Sequence, residues 1–305
     1  MPRRSGTTLA SSRRRWFWTF ITPFLAGLMV FVYLPLGWSL WLSFYDARNT
    51  VTPTRFVGLG NYVALLNDRL FVDSMVTFVA FALFIVPVTF ACSLSLALLL
   101  QRITVLRGFF RSVFFIPTAV SYVIAAMVWR MSFFNGARFG LANTLLASAG
   151  LPTVNWLGGE NNWYWLVLVS LRLWLQVGFY MILFIAGLNQ IDDQLYEAAA
   201  LDGASGWRRF WYITFPLLRP TSVAVSMLLL FNAFQAFDEF YNTLITAGGY
   251  PPFARPPLVY LYLISFGGGA QDLGIGSAGT MILTLVILVF SLLQNRVLAI
   301  SGGRA

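Results

Sequence analysis

Residues 163–188 read WYWLVLVSLRLWLQVGFYMILFIAGL, and residues 189–216 read NQIDDQLYEAAALDGASGWRRFWYITFP. The first stretch carries a single charge, Arg172. As a helix it would rise about 39 Å at 1.5 Å per residue, more than the ~30 Å hydrocarbon core of a bilayer. The second stretch is too polar to sit in lipid and too short to be a soluble domain. The chain is therefore read outward from this unit, a spanning helix that ends in a structured polar loop.

The composition of the whole chain agrees. Of 305 residues, 58% are hydrophobic and only 10% charged, with a mean hydropathy of +0.74. A soluble globule carries about 25% charged residues, so this chain cannot clothe a water-facing surface. Six apolar runs are long enough to cross a membrane: about 16–44, 74–100, 109–134, 163–188, 217–240 and 273–293. The fold class expected is an all-α membrane protein of six transmembrane helices. The first run is too long for a signal-peptide core, and Pro35-Leu36-Gly37-Trp38 lacks a small-x-small cleavage site, so a retained anchor is expected.

Orientation follows from arginine, since all 20 basic residues are Arg. With the N-terminus inside, the inner segments hold 13 of them: Arg3, Arg4, Arg13, Arg14 and Arg15, then Arg102, Arg107 and Arg111, then Arg208, Arg209 and Arg219, then Arg296 and Arg304. The outer loops hold five, Arg48, Arg55, Arg69, Arg138 and Arg255. The positive-inside rule then places both termini in the cytoplasm. The chain divides into a basic cytoplasmic tail (1–15), a transmembrane domain (16–298) containing the 189–216 loop, and a short cytoplasmic tail (299–305). The exclusive use of Arg points to GC-rich coding and a bacterial cytoplasmic membrane.

Absences remove whole classes of chemistry. The chain has no His and no Lys, so imidazole acid–base catalysis, a Schiff-base lysine and a GxxxxGK[ST] phosphate loop are all excluded. If nucleotide energy is used, another chain supplies it. The lone Cys92 forms no intrachain disulfide and is expected to be a small buried hydrophobe. The net charge of +9 lies in short tracts between apolar runs, which argues for topology rather than nucleic-acid binding. Gly274-Ile275-Gly276-Ser277-Ala278-Gly279 satisfies GxGxxG, but it precedes an apolar span and follows no strand, so it reads as close helix packing.

The loop carries the most information. Asp192 is placed to cap a helix of about three turns, acids suit its first turn, and Gly203 is placed for a left-handed C-cap. Leu195 and Ala199 lie at i and i+4. A short helix between two spans has nothing of its own to pack against, so it is expected to dock into another protein. The aromatic and Arg segment from Trp207 to Phe215 suits the headgroup level, and Pro216 suits the opening of the next span.

Glu197-Ala198-Ala199, three residues, Gly203, nine residues, then Ile213-x-Phe215-Pro216 resembles the EAA loop of the permease subunits of binding-protein-dependent ABC importers, with Phe215 where that pattern has Leu. Phe56–Tyr62, Arg107–Pro117, Asn155-Trp156-Leu157, Ala186-Gly187-Leu188 and Thr246-Ala247-Gly248-Gly249 resemble segments of the carbohydrate-uptake branch. The last of these departs from that branch's usual T-G-G-P. The resemblance implies a coupling helix in which Glu197, Ala198, Ala199, Asp202 and Gly203 contact a cytoplasmic ATPase. It also implies the partners: a second homologous permease, two ATPase copies holding ATP and Mg, and a periplasmic or lipid-anchored solute-binding protein. This chain itself would be non-catalytic, with no cofactor and no metal. Its cargo would be a sugar or oligosaccharide, or alternatively glycerol 3-phosphate or another polyol.

Arg172 lies mid-span, where an unpaired Arg costs about 2.5–3.5 kcal/mol on insertion scales, so it should face protein or water. Gln176 is one turn on; Asn232, Gln235 and Glu239 fall at i, i+3 and i+7 beside Asp238. These six are candidates for the substrate pathway, with Phe234 or Trp174 available to stack on a sugar. The competing reading is an ion pair from Arg172 to Asp238 or Glu239 that only fixes packing. An ion-coupled secondary transporter is the rival function; it would need buried coupling acids and inverted repeats, and would not need the EAA spacing.

Overall fold

The computed structural model describes residues 7–136, 140–159, 161–246, 249–267, 269 and 271–302. Arg3, Arg4, Arg138, Ala247, Gly248 and Arg304 of the sequence reading lie outside the described residues. In chain order the helices are α1 (Thr7–Leu28), α2 (Leu34–Leu42), α3 (Gly60–Asn67), α4 (Arg69–Arg102), α5 (Arg107–Phe115), α6 (Tyr122–Val128), α7 (Leu141–Ser148) and α8 (Tyr164–Leu188). They continue as α9 (Asp193–Leu201), α10 (Gly206–Arg209), α11 (Phe215–Leu217), α12 (Arg219–Phe234), α13 (Asp238–Leu244), α14 (Pro257–Phe266) and α15 (Leu273–Gly302).

Four helices are long and apolar enough to cross a membrane: Trp16–Leu42, Arg69–Arg102, Tyr164–Leu188 and Leu273–Gln294. Two further pairs pass together but are bent, Arg107–Ala119 with Tyr122–Phe133 by 96° and Gly206–Leu217 with Arg219–Phe234 by 71°, giving up to six spans. The third and fifth apolar runs of the sequence reading are thus bent helix pairs rather than single helices. In the third, Pro117 opens a 3₁₀ turn (Ile116–Ala119) and Val120 is extended. Ser121 then caps the next helix by accepting from the Val123 N–H at 3.3 Å. In the fifth, Pro220 rather than Pro216 lies in the first turn of the long helix, and that helix stops at Phe234.

The chain forms two compact units, Met1–Asp68 with Leu261–Leu283, and Arg69–Tyr260 with Thr284–Ala305. In the first, a two-residue antiparallel pairing joins Tyr45–Asp46 (β1) to Arg55–Phe56 (β2). Asn61 locks that turn, its Nδ2 donating to the carbonyls of Ser43 and Tyr45, both at 2.9 Å. Asp272 accepts from Arg48 Nε at 3.0 Å and from the Ile275 N–H at 2.9 Å, so it both pairs and caps α15. The GxGxxG residues serve packing, as expected. A Cβ on Gly276 would collide with Ser265 Oγ and one on Gly279 with the Leu261 side chain.

The second unit is organised on α8, half of whose most apolar window is buried. Its C-terminal half (Tyr180, Met181, Phe184, Ile185) packs with Leu94, Ala97 and Leu100 of α4 and Val225 of α12. Its N-terminal half (Val167, Leu171, Leu175) packs with Ala125, Ala126 and Trp129. Gly178 lets α5 approach closely, because a Cβ there would collide with the Phe114 carbonyl. By contrast, none of the most apolar window of Trp16–Leu42 is buried. Cys92 is exposed, which corrects the expectation of a buried thiol: its position on α4 turns away from the helices packed against it.

Candidate functional site

The loop helix α9 is built as its residues dictate. Asp192 is extended (φ −66°, ψ 127°) and its carboxylate accepts from the Gln194 N–H at 2.9 Å, removing one of the orphan donors at the helix start. At the other end Gly203 takes φ +72°, and the Ala204 N–H reaches back to the Ala199 carbonyl at 2.9 Å. This is a Schellman closure, which favours Gly at the left-handed position.

The helix is not free of its own chain. Tyr196 OH and Thr214 Oγ1 are 3.0 Å apart, and Ala199 is 8% exposed. The expected Leu195–Ala199 stripe is therefore divided, with Ala199 turned toward the protein and Leu195 half-exposed. Glu197, Ala198, Asp202 and Gly203 remain exposed. Leu201, 90% exposed, joins them. Sequence reasoning passed over Leu201; the available signal was an apolar residue four places after Glu197 in an otherwise polar loop.

The second candidate group lies within the apolar helices. Arg172 on α8 and Glu239 on α13 are both buried and form an ion pair. The same guanidinium donates through Nη2 to the Asn232 carbonyl and lies 5.4 Å from the centroid of the Phe81 ring. Asn232 Nδ2 donates to Tyr180 OH at 2.9 Å, and Gln176 Nε2 to Tyr122 OH at 2.8 Å. A buried charge needs such pairing, since an uncompensated one is strongly destabilising.

Asn232, Gln235 and Glu239 do not share a helix face. The chain breaks at Gln235–Phe237 between α12 and α13. At that break the Asn232 carbonyl accepts the Gln235 N–H at 3.2 Å and the Arg172 guanidinium instead of continuing the helical ladder. Gln176 and Glu239 are buried, while Asn232, Gln235 and Asp238 are exposed. Phe234, suggested above as a stacking ring, is 2% exposed and instead stacks on Phe78 at 4.9 Å. Trp174 stays 41% exposed.

Comparison with known proteins agrees with this geometry. The profile of the family described as "Binding-protein-dependent transport system inner membrane component" matches residues 57–300. The trehalose/maltose transport system permease protein MalF of Thermococcus litoralis is 33% identical, with 91% of each chain covered. The probable starch degradation products transport system permease protein AmyD of Thermoanaerobacterium thermosulfurigenes is 30% identical, with 92% of each covered. The sn-glycerol-3-phosphate transport system permease protein UgpA of Escherichia coli O157:H7 is 32% identical over 93% of this chain and 94% of that one. In fold, the chain resembles a crystal structure of a bacterial ABC transporter involved in the import of the acidic polysaccharide alginate, with a TM-score of 0.83, 22% identity, and 96% and 98% of the two chains covered. A capped loop helix between long apolar helices, a profile match over most of its length and permease relatives along nearly all of it together show that the chain belongs to the family of binding-protein-dependent transport system inner membrane components.

Proposed function

We propose that this chain is one of two permease subunits forming the translocation pore of an ATP-driven importer for a sugar or oligosaccharide. An extracytoplasmic binding protein delivers the cargo. A pair of cytoplasmic ATPase subunits, holding ATP and Mg, drives the cycle through α9, and this chain performs no chemistry and holds no cofactor. Six spans, with both termini and α9 on the cytoplasmic side, are the topology this reading requires.

The observation that carries it is the capped, tethered α9 with Glu197, Ala198, Leu201 and Asp202 exposed. Tyr196 is bonded to Thr214, just before α11, and packs against the apolar cluster built by α4, α8 and α12, so a push on α9 is passed to those helices rather than absorbed by a loose loop. Small Ala198 permits close approach, Leu201 offers apolar area, and Glu197 offers a carboxylate to a partner Arg. The sugar assignment is supported by relatives named for trehalose/maltose and starch degradation products.

Relatives named for glycerol 3-phosphate are equally similar, which keeps a phosphorylated polyol as the second reading. The electrostatics of the α8–α12–α13 cluster disfavour it. Arg172 is already neutralised by Glu239, and exposed Asp238 would repel a phosphate. Uptake of labelled oligosaccharide by the assembled transporter, with and without excess glycerol 3-phosphate, separates the two; competition by the phosphate would overturn the sugar assignment. Glu197→Arg and Gly203→Pro should abolish binding-protein-stimulated ATP hydrolysis while leaving the subunit inserted. Normal stimulation in both would overturn the coupling role.

A further inference from the structure

A cavity of about 1200 Å³ opens where the C-terminal end of α4 meets the loop that carries α9 and α10. Its lining is ordered along α4. Phe90, Ala91, Leu94 and Leu98 come first, with Ser95 the one polar residue among them, then Gln101 and Arg102. Residues 90–102 cover about 18 Å of helix axis, so one wall runs from apolar to cationic over roughly the depth of one leaflet, half of a ~30 Å hydrocarbon core. Opposite the cationic end stand Arg107 of α5 and Arg209 of α10, with the indoles of Trp207 and Trp211. The cavity's acid is Asp193, one carboxylate against three guanidinium groups.

None of Arg102, Arg107 and Arg209 forms an ion pair among the described residues. The Arg107 Nε atom is buried without a hydrogen-bond partner among them, as is that of Arg111 one turn along. Both arginines also sit in the first turns of α5, where the helix dipole adds positive potential. Trp207 and Trp211 are 71% and 46% exposed, as suits indoles at a membrane–water interface.

We propose that this cavity is a binding site for an anionic phospholipid of the cytoplasmic leaflet. The phosphate of its headgroup lies among Arg102, Arg107 and Arg209, and an acyl chain lies along Phe90, Leu94 and Leu98. Basic pockets between transmembrane helices on the cytoplasmic side suit such headgroups. The apolar-to-cationic order along α4 matches the order of tail and headgroup in a leaflet. A water-soluble protein segment would have no use for an apolar wall reaching that far up a spanning helix. The proposal rests on the cytoplasmic placement of α9 given above. Because Asp193 and Tyr196 of α9 line the same cavity, the lipid would be a neighbour of the coupling helix.

The test uses the assembled transporter in nanodiscs of phosphatidylcholine mixed with phosphatidylglycerol, with retained lipid counted by native mass spectrometry. The wild type should retain phosphatidylglycerol selectively. Each of R102Q, R107Q and R209Q should weaken retention about fivefold, and the triple variant should lose it. The triple Arg→Lys variant keeps the charges and should retain lipid, which separates loss of charge from loss of fold. Equal retention by the wild type and the triple Gln variant would overturn the proposal. So would displacement of the lipid by inorganic phosphate alone, or photocrosslinking from position 98 to the ATPase instead of lipid. E197R, which lies outside the cavity, should leave retention unchanged, so a failure of the coupling role and a failure of the lipid site register separately.

Discussion

At the scale of single residues, the decisive contact is the Arg172–Glu239 pair. Removing one partner leaves the other buried and uncompensated, a loss of about 3–5 kcal/mol, whereas replacing both by apolar residues of similar size is often close to neutral. Glu239→Ala is therefore expected to lower the melting temperature of the purified transporter sharply, and Arg172→Met with Glu239→Leu to restore much of it. A double variant no more stable than Glu239→Ala would sink this account. Gln235→Ala and Asp238→Ala, which alter exposed side chains, should instead leave stability within about 0.5 kcal/mol. Under the proposed pathway role they should reduce uptake, read as a raised KM for the delivered sugar. Unchanged uptake in both would remove these residues from the pathway. The types of these polar residues were legible in the sequence, because charge in an apolar run demands a partner. Which acid answers Arg172 was not: Asp238 and Glu239 are adjacent, and the sequence does not say which of the two α13 turns inward; it is Glu239, while Asp238 stays exposed.

At the scale of elements, the reading succeeds where local chemistry decides and fails where tertiary contacts do. The ends of α9 were legible because Asp192 and Gly203 act on their own backbone neighbours. The break at Gln235–Phe237 was not, because those three residues include neither Pro nor Gly. There Arg172, sixty residues earlier, occupies the Asn232 carbonyl that a continuing helix would give to residue 236. The bend after Ala119 had a signal in Pro117, but a proline in an apolar run is also compatible with a mere kink. The outward face of α9 yields a prediction at this scale. Leu201→Asp should reduce binding-protein-stimulated ATP hydrolysis by more than tenfold, because its 90% exposure leaves little folding role and a docked leucine is worth about 1.5–3 kcal/mol. Tyr196→Phe removes only the bond to Thr214 and should cost about 1 kcal/mol of stability. Equal ATPase defects in the two variants would mean that α9 acts by its tether rather than by its face.

At the scale of the whole molecule, thirteen arginines against five set the expected orientation, and the chain offers a clean way to measure it. Cys92 is the sole cysteine, so Cys92→Ala leaves a background without thiols. Because Cys92 is exposed rather than packed into the core, this change should leave no cavity and little loss of stability. Single cysteines are then placed at three exposed positions: Asp193 at the start of α9, Leu151 between α7 and α8, and Val51 between β1 and β2. A membrane-impermeant maleimide added to right-side-out vesicles should label Leu151→Cys and Val51→Cys and spare Asp193→Cys; inverted vesicles should reverse the pattern. Two bent pairs that each cross the membrane give six crossings and this alternation. If the first pair instead dips in and returns on the same side, every later connection changes side, and Asp193→Cys would label together with Val51→Cys. The labelling pattern therefore reports whether the 96° bend lies within a crossing, and with it whether α9 faces the compartment that holds ATP.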